Sequence, residues 1–193
     1  MKVIHYSSKY WKNFDRCYDI AKCHTIKKKK KMLKYISTDI VFQEVPDEVS
    51  LAISITGCPN RCPDCHSKYL WEDTGDELNE DSVDKEIKKY KDDITCVCFM
   101  GGDRDKHTVY RLAKHVKEKY PDLKVAWYSG ASEIDDDFPW HDFDYIKVGP
   151  YIHRYGPLDS EGTNQRMLKK VDDKNWEDIT YAFYRNKHPE RFR

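Results

Sequence analysis

No apolar run in this 193-residue chain approaches the roughly 20 residues that span a bilayer. The N-terminus also lacks the apolar segment of a secretory leader. Both absences lead to the expectation of a cytoplasmic protein with no membrane partner. In that setting cysteines are reduced thiols or ligands before they are disulfides, and an odd count of seven argues against a full disulfide framework. Net charge is missing as well, since 34 Lys and Arg balance 34 Asp and Glu. There is no internal repeat, and no low-complexity segment beyond one block of lysines. The length suits one domain with a real core and falls short of a comfortable two.

The zero net charge conceals an asymmetry. Residues 1–31 hold ten Lys or Arg against two Asp, so the remainder carries −8. Five lysines, Lys27 to Lys31, run unbroken into Met32. Such a block reads as a nucleic-acid patch or as a solvated, disordered arm. A third reading makes residues 1–31 an over-extended frame with Met32 as the true start. The expected division is therefore a basic extension, 1–31, and a working domain, 32–193. An acidic remainder has no general attraction for phosphate backbones, so no nucleic-acid partner is expected.

From about Tyr35 the pattern is regular. "DIVFQEVP" and "SLAISITG" read as strands separated by the turn-prone "PDE". A helix is expected from an Asn79 N-cap to about Tyr90, with Val83, Ile87 and Tyr90 on one face. "ITCVCFMGG" reads as a buried strand. "HTVYRLAKHVKEKYPD" is a helix ended by Pro121, and "LKVAWYSG" and "YIKVGPYI" are further strands. The tail "NWEDITYAFYRNKHPERFR" reads as a helix with Trp176, Ile179, Phe183 and Tyr184 on one side. Alternating strands and helices favour an α/β fold with a mostly parallel sheet. Too few units are present for eight βα repeats, so a partial, TIM-like barrel or an open sheet is expected.

The chemistry concentrates in "ITGCPNRCPDCHSKYLW", where Cys58, Cys62 and Cys65 form a C-x3-C-x2-C run on a loop leaving a strand. Two readings compete. Zinc would take a fourth ligand from His66, Cys17 or Cys23, but structural zinc sites usually pair two knuckles and no second C-x2-C exists here. Alternatively, three thiolates bind three irons of a [4Fe–4S] cluster and leave the fourth iron open, unlike the ferredoxin pattern that closes it with a fourth cysteine. Cys96 and Cys98 alternate on the strand "TCVCF" among apolar neighbours and are read as packing.

The C-x3-C-x2-C run after a strand resembles the signature of the radical S-adenosylmethionine enzymes. "FMGGD", with Gly101, Gly102 and Asp103, is similar to that family's Gly-Gly-Glu/Asp-Pro element, although Arg104 stands where Pro is common. The longer "GCPNRCPDCHSKYLW" resembles the activating proteins of anaerobic (class III) ribonucleoside-triphosphate reductase, through Gly57, Pro63, His66 and Trp71. "VGPYI" and "GTNQRML" resemble further elements of those activators. The likeness covers about Leu33 to Val171. Asp64 occupies a position that is aromatic in many radical enzymes and small in these activators.

The resemblance implies one cluster on Cys58, Cys62 and Cys65, with S-adenosylmethionine at its open iron. It implies cofactor contacts from Asp64, Cys65, His66, Gly101, Gly102 and Asp103. It further implies a radical oxidoreductase whose partner is the large glycyl-radical subunit of the reductase, with an electron donor such as flavodoxin. Rival readings are a 7-carboxy-7-deazaguanine synthase-like enzyme, an activase for a different glycyl-radical partner, and a zinc-stapled module whose basic arm contacts nucleic acid.

Overall fold

The computed structural model describes residues 3–5, 32–132, 138–173 and 175–184. The lysine block and the rest of the basic extension lie outside the described residues, apart from a short strand β1 (Val3–His5). The other strands are β2 (Lys34–Val41), β3 (Ser50–Ile55), β4 (Asp76–Glu77), β5 (Cys96–Met100), β6 (Lys124–Tyr128), β7 (Tyr145–Val148), β8 (Arg166–Lys170) and β9 (Asn175–Asp178). Two helices, α1 (Glu80–Tyr90) and α2 (Lys106–Lys119), precede β5 and β6. All strands join one sheet in the order β1-β9-β8-β7-β6-β5-β3-β2-β4.

Parallel pairing runs through the centre, β3 to β5 to β6 to β7, where helical or long crossovers return the chain to the same edge. The flanks are antiparallel. β2 pairs with β3 and β4 on one side, while β8 and β9 follow β7 on the other. Residues 42–49 join β2 to β3 and residues 171–174 join β8 to β9, and connections this short reverse the chain. Strand–helix alternation in the sequence therefore announces the centre and not the flanks.

Each helix forms for a legible reason. Asn79 caps α1 in a reciprocal capping box with Ser82, Glu80 and Asp81 follow in the first turn, and Lys88 and Lys89 stand in the last. α2 starts on Asp105, whose side chain accepts from the Thr108 amide. The buried faces of the helices, Val83 and Ile87 with Val109, Leu112, Ala113 and Val116, pack on Leu51, Ile53, Ile55, Val97, Phe99, Val125, Trp127 and Ile146. Because strand side chains alternate, Cys96, Cys98, Ala126 and Tyr145 face the other way, into a second cluster with Val45, Met167, Ile179 and Phe183.

The tail corrects the helix expected there. Asn175–Asp178 is the strand β9, and Thr180–Phe183 is one turn of 3-10 helix. Trp176 packs in the helix-side core while Ile179 and Phe183 join the opposite cluster, so the same apolar residues serve two faces of the sheet. The sequence reading contains no strand corresponding to β8, which begins in the "NQRML" stretch and runs to Lys170. Residues beyond 184 lie outside the described part.

Candidate functional site

Topology places every singled-out motif at one edge. β3 ends into Gly57 and Cys58, β5 into Gly101 to Asp103, β6 into Ser129 and Gly130, and β7 into Gly149 and Pro150. Since β3, β5, β6 and β7 are parallel, these are all carboxyl ends, where α/β sheets gather ligand-binding loops. β8 runs antiparallel with Arg166 opposite Val148, so Asn164 and Gln165 arrive at the same edge from the other direction.

The cysteine loop is shaped by its backbone. Gly57, Arg61 and Asp64 all have positive φ, at 75°, 41° and 62°. Two non-glycine residues in the left-handed region within four positions coil the loop tightly around its thiols. The Cys58 and Gly57 amides donate to the Leu70 and Glu72 carbonyls at 2.9 Å each, which ties the loop's start to the segment around Trp71. Cys58, Cys62 and Cys65 are free and half-buried. Burial pushes the Cys58 thiol up, while hydrogen bonds from the backbone of Asn60 and Arg61 act in the opposite sense by favouring the thiolate.

Asp103 joins this loop to the neighbouring strand ends. Its carboxylate accepts from the Ser129 hydroxyl, from the Gly130 amide at 2.9 Å and from the Asn60 side-chain amide at 2.8 Å. Asn60 lies between Cys58 and Cys62, so one acid spans the cysteine loop, the Gly-Gly turn and the end of β6. Gly102 (φ 91°) fits because a Cβ there would stand 2.4 Å from Val109 Cγ2. The Trp127 indole N–H donates to the Gly101 carbonyl at 2.7 Å.

Arg104, where the resemblance leads one to look for Pro, has a defined task. Its guanidinium lies 3.1 Å from Asp73 and donates to the Met32 carbonyl at 3.0 Å. It packs so closely on Gly57 that a Cβ there would meet it at 2.5 Å. His66 is exposed, and its ring faces Tyr151 of "VGPYI" at 5.5 Å between centroids. Asp64 is exposed on the loop. Asn164 donates to the Pro150 carbonyl at 2.9 Å, which joins "GTNQRML" to "VGPYI".

Two residues of this edge escaped the sequence reading. Asn60 is the tether just described. Lys147, on β7, is buried with 8% exposure, and its ammonium donates to the Gly149 carbonyl at 2.6 Å. Burial drives its pKa down to about 8, against the opposing influence of Asp103, Cys62 and Cys65. The available signal was a lysine inside the apolar run "YIKVG", at the parity of the buried Tyr145.

The remaining cysteines of the sheet are unlike the loop's. Cys96 and Cys98 have no exposure, and burial raises the Cys96 thiol to about 12 and Cys98 well above its ordinary value. They stay protonated packing residues. Among the described residues, no three His, Cys, Asp or Glu side chains gather as they would around a single metal ion. A cubane cluster makes no such demand, because each thiolate binds its own iron at a separate corner. Three half-buried thiols on one tightly coiled loop, with amides turned to one sulfur, are a donor set that fits a cluster.

Comparison with known proteins agrees at that level. Residues 49–137, from the start of β3 past the end of β6, match the family described as a 4Fe-4S single cluster domain. No curated protein and no solved structure matches the chain. The match supports an iron–sulfur domain over these residues. No helix of the described residues is long and apolar enough to cross a membrane.

Proposed function

We propose that this chain is a radical S-adenosylmethionine activase that generates a glycyl radical on an anaerobic (class III) ribonucleoside-triphosphate reductase. The observation that carries the reading is convergence. The C-x3-C-x2-C loop, the Gly-Gly-Asp turn, "SG", "VGPY" and "TNQ" are scattered over about 110 residues, and all meet at the carboxyl edge of β3, β5, β6 and β7. In this reading those parallel strands belong to a partial βα barrel, and the antiparallel strands extend it.

Cys58, Cys62 and Cys65 hold the cluster, and the Asn60 and Arg61 amides favour the thiolate form of Cys58. When bound, a cluster with an open iron supplies the electron that cleaves S-adenosylmethionine. Asp103 keeps the Gly101–Gly102 turn against the cysteine loop by holding Asn60, Ser129 and Gly130. In this reading the Gly101–Gly102 turn receives the cofactor together with Asp64, Cys65 and His66 of the cysteine loop. The His66–Tyr151 pair borders it on the β7 side. A protein partner presenting a glycine, and a donor such as flavodoxin, complete the reaction in the cytoplasm without oxygen.

The test is anaerobic incubation of reconstituted protein, reductant and S-adenosylmethionine with a large reductase subunit, monitored by electron paramagnetic resonance. A glycyl-radical doublet on the partner is expected. Formation of 5′-deoxyadenosine with no radical on any such subunit would point instead to a small-molecule substrate, as in the deazaguanine-synthase reading.

A further inference from the structure

The buried charged side chains among the described residues are Glu48, Asp84, Glu86 and Lys147. Each carboxylate has a cation beside it: Lys124 at Glu48, Lys119 and His115 at Asp84, and Lys89 at Glu86. Lys147 differs. Its hydrogen-bond partner is a neutral carbonyl, that of Gly149, and an ammonium carries three donors. A buried cation without a matched anion is costly, and sequences rarely keep one unless an anion arrives later.

The surroundings say which anion. Lys147 is the penultimate residue of β7, close to the carboxyl edge, and its own carbonyl accepts from the Ser129 amide at 2.8 Å. Ser129 in turn donates to Asp103, which holds the cysteine loop through Asn60. The groups whose charge acts on the ammonium are Asp103, Cys62 and Cys65. As neutral thiols the cysteines leave Lys147 under-compensated. As thiolates binding a cluster they supply negative charge that acts on the ammonium.

We infer that Lys147 is the buried countercharge of the cysteine loop, a positioning residue that offsets the negative charge of the thiolate-bound cluster and raises its reduction potential. The inference rests on Cys58, Cys62 and Cys65 being the cluster ligands. Reduction adds one electron, from an external reductant, to a centre that is already anionic. A fixed cation nearby in a poorly hydrated site favours that reduced state, and net charge and hydrogen bonding around the sulfurs are the levers that set cluster potentials.

The experiment uses full-length protein reconstituted anaerobically, titrated with dithionite and followed by electron paramagnetic resonance, for wild type, Lys147→Met and Lys147→Arg. Lys147→Met should lower the reduced-to-oxidised ratio at a given potential at least tenfold, a shift of 59 mV or more to the negative for one electron. Lys147→Arg should stay near wild type. Before reconstitution, the Met variant should melt above wild type, because it removes a buried charge whose partner is not yet there. Equal midpoints in Lys147→Met and wild type at equal iron content would overturn the role of Lys147 alone. A Met variant that fails to fold would also overturn it, since a countercharge is dispensable without the cluster. Wild-type protein that assembles no cluster would instead remove the ligand assignment beneath it.

Discussion

Replacing Asp103 with Ala removes the acceptor that unites three segments, and the structure fixes the expected size of the effect. Ser129 is fully buried and the Gly130 amide is half-buried, so two donors lose an acceptor that water replaces poorly. Each buried donor left unsatisfied costs about 1–3 kcal/mol, whereas the exposed Asn60 amide finds water and loses little. The sum for Asp103→Ala is about 3 kcal/mol. Asp103→Asn behaves differently. Its carbonyl oxygen can take the place that serves Gly130 and Asn60, and the Ser129 hydroxyl can rotate to accept from the new amide. Only the charge assistance is lost, about 1 kcal/mol. With a urea slope of about 2 kcal/mol/M, the midpoint should fall by about 1.5 M for Ala and about 0.5 M for Asn. Iron retention should follow the same order, because Asn60 is the tether between Cys58 and Cys62. Equal midpoint shifts in the two variants, or a shift under about 0.3 M for Ala, would refute the reasoning.

Two further outcomes follow from other parts of the fold. Gly102→Ala forces a left-handed φ of 91° on a residue whose Cβ would lie 2.4 Å from Val109 Cγ2 and 3.3 Å from Ile55 Cδ1. Strain and overpacking together should cost about 2–5 kcal/mol by urea denaturation, and a neutral result would show that the turn relaxes freely. Burial opposes ionisation of Asp84, but hydrogen bonds from Lys119, His115 and Tyr120 outweigh it and lower its pKa below the ordinary 3.8. A depressed carboxylate contributes stability that is full above its unfolded value and is lost as pH falls through the folded one. Asp84→Asn should therefore flatten thermal stability between pH 5 and about pH 2, and an unchanged profile would contradict the pairing of α1 with α2.

What the sequence made legible was whatever depends on local order. The Asn79 cap, the apolar faces of α1 and α2 and the strands ending in glycine are periodic or positional signals, and each stands where its residues place it. The cysteine spacing identified the loop for the same reason. The tail misled because Trp176, Ile179 and Phe183 satisfy a helical spacing, while the chain uses them on opposite faces of a sheet that only long-range pairing with β8 defines. Asn60 and Lys147 were missed because their importance lies in partners 43 residues away, or on strands neighbouring in space, and no local pattern encodes that. Arg104 looked like a defect in a turn and proves to brace Met32, Asp73 and Gly57.

The most direct test of the account measures iron, sulfide and 5′-deoxyadenosine together in anaerobically reconstituted wild type, in Cys58→Ala, Cys62→Ala and Cys65→Ala, and in Cys96→Ala. The account predicts about four irons and 5′-deoxyadenosine from wild type and Cys96→Ala, and no 5′-deoxyadenosine from the other three. A Cys58→Ala protein that still forms 5′-deoxyadenosine, or a colourless wild type that keeps zinc and forms none, would contradict it.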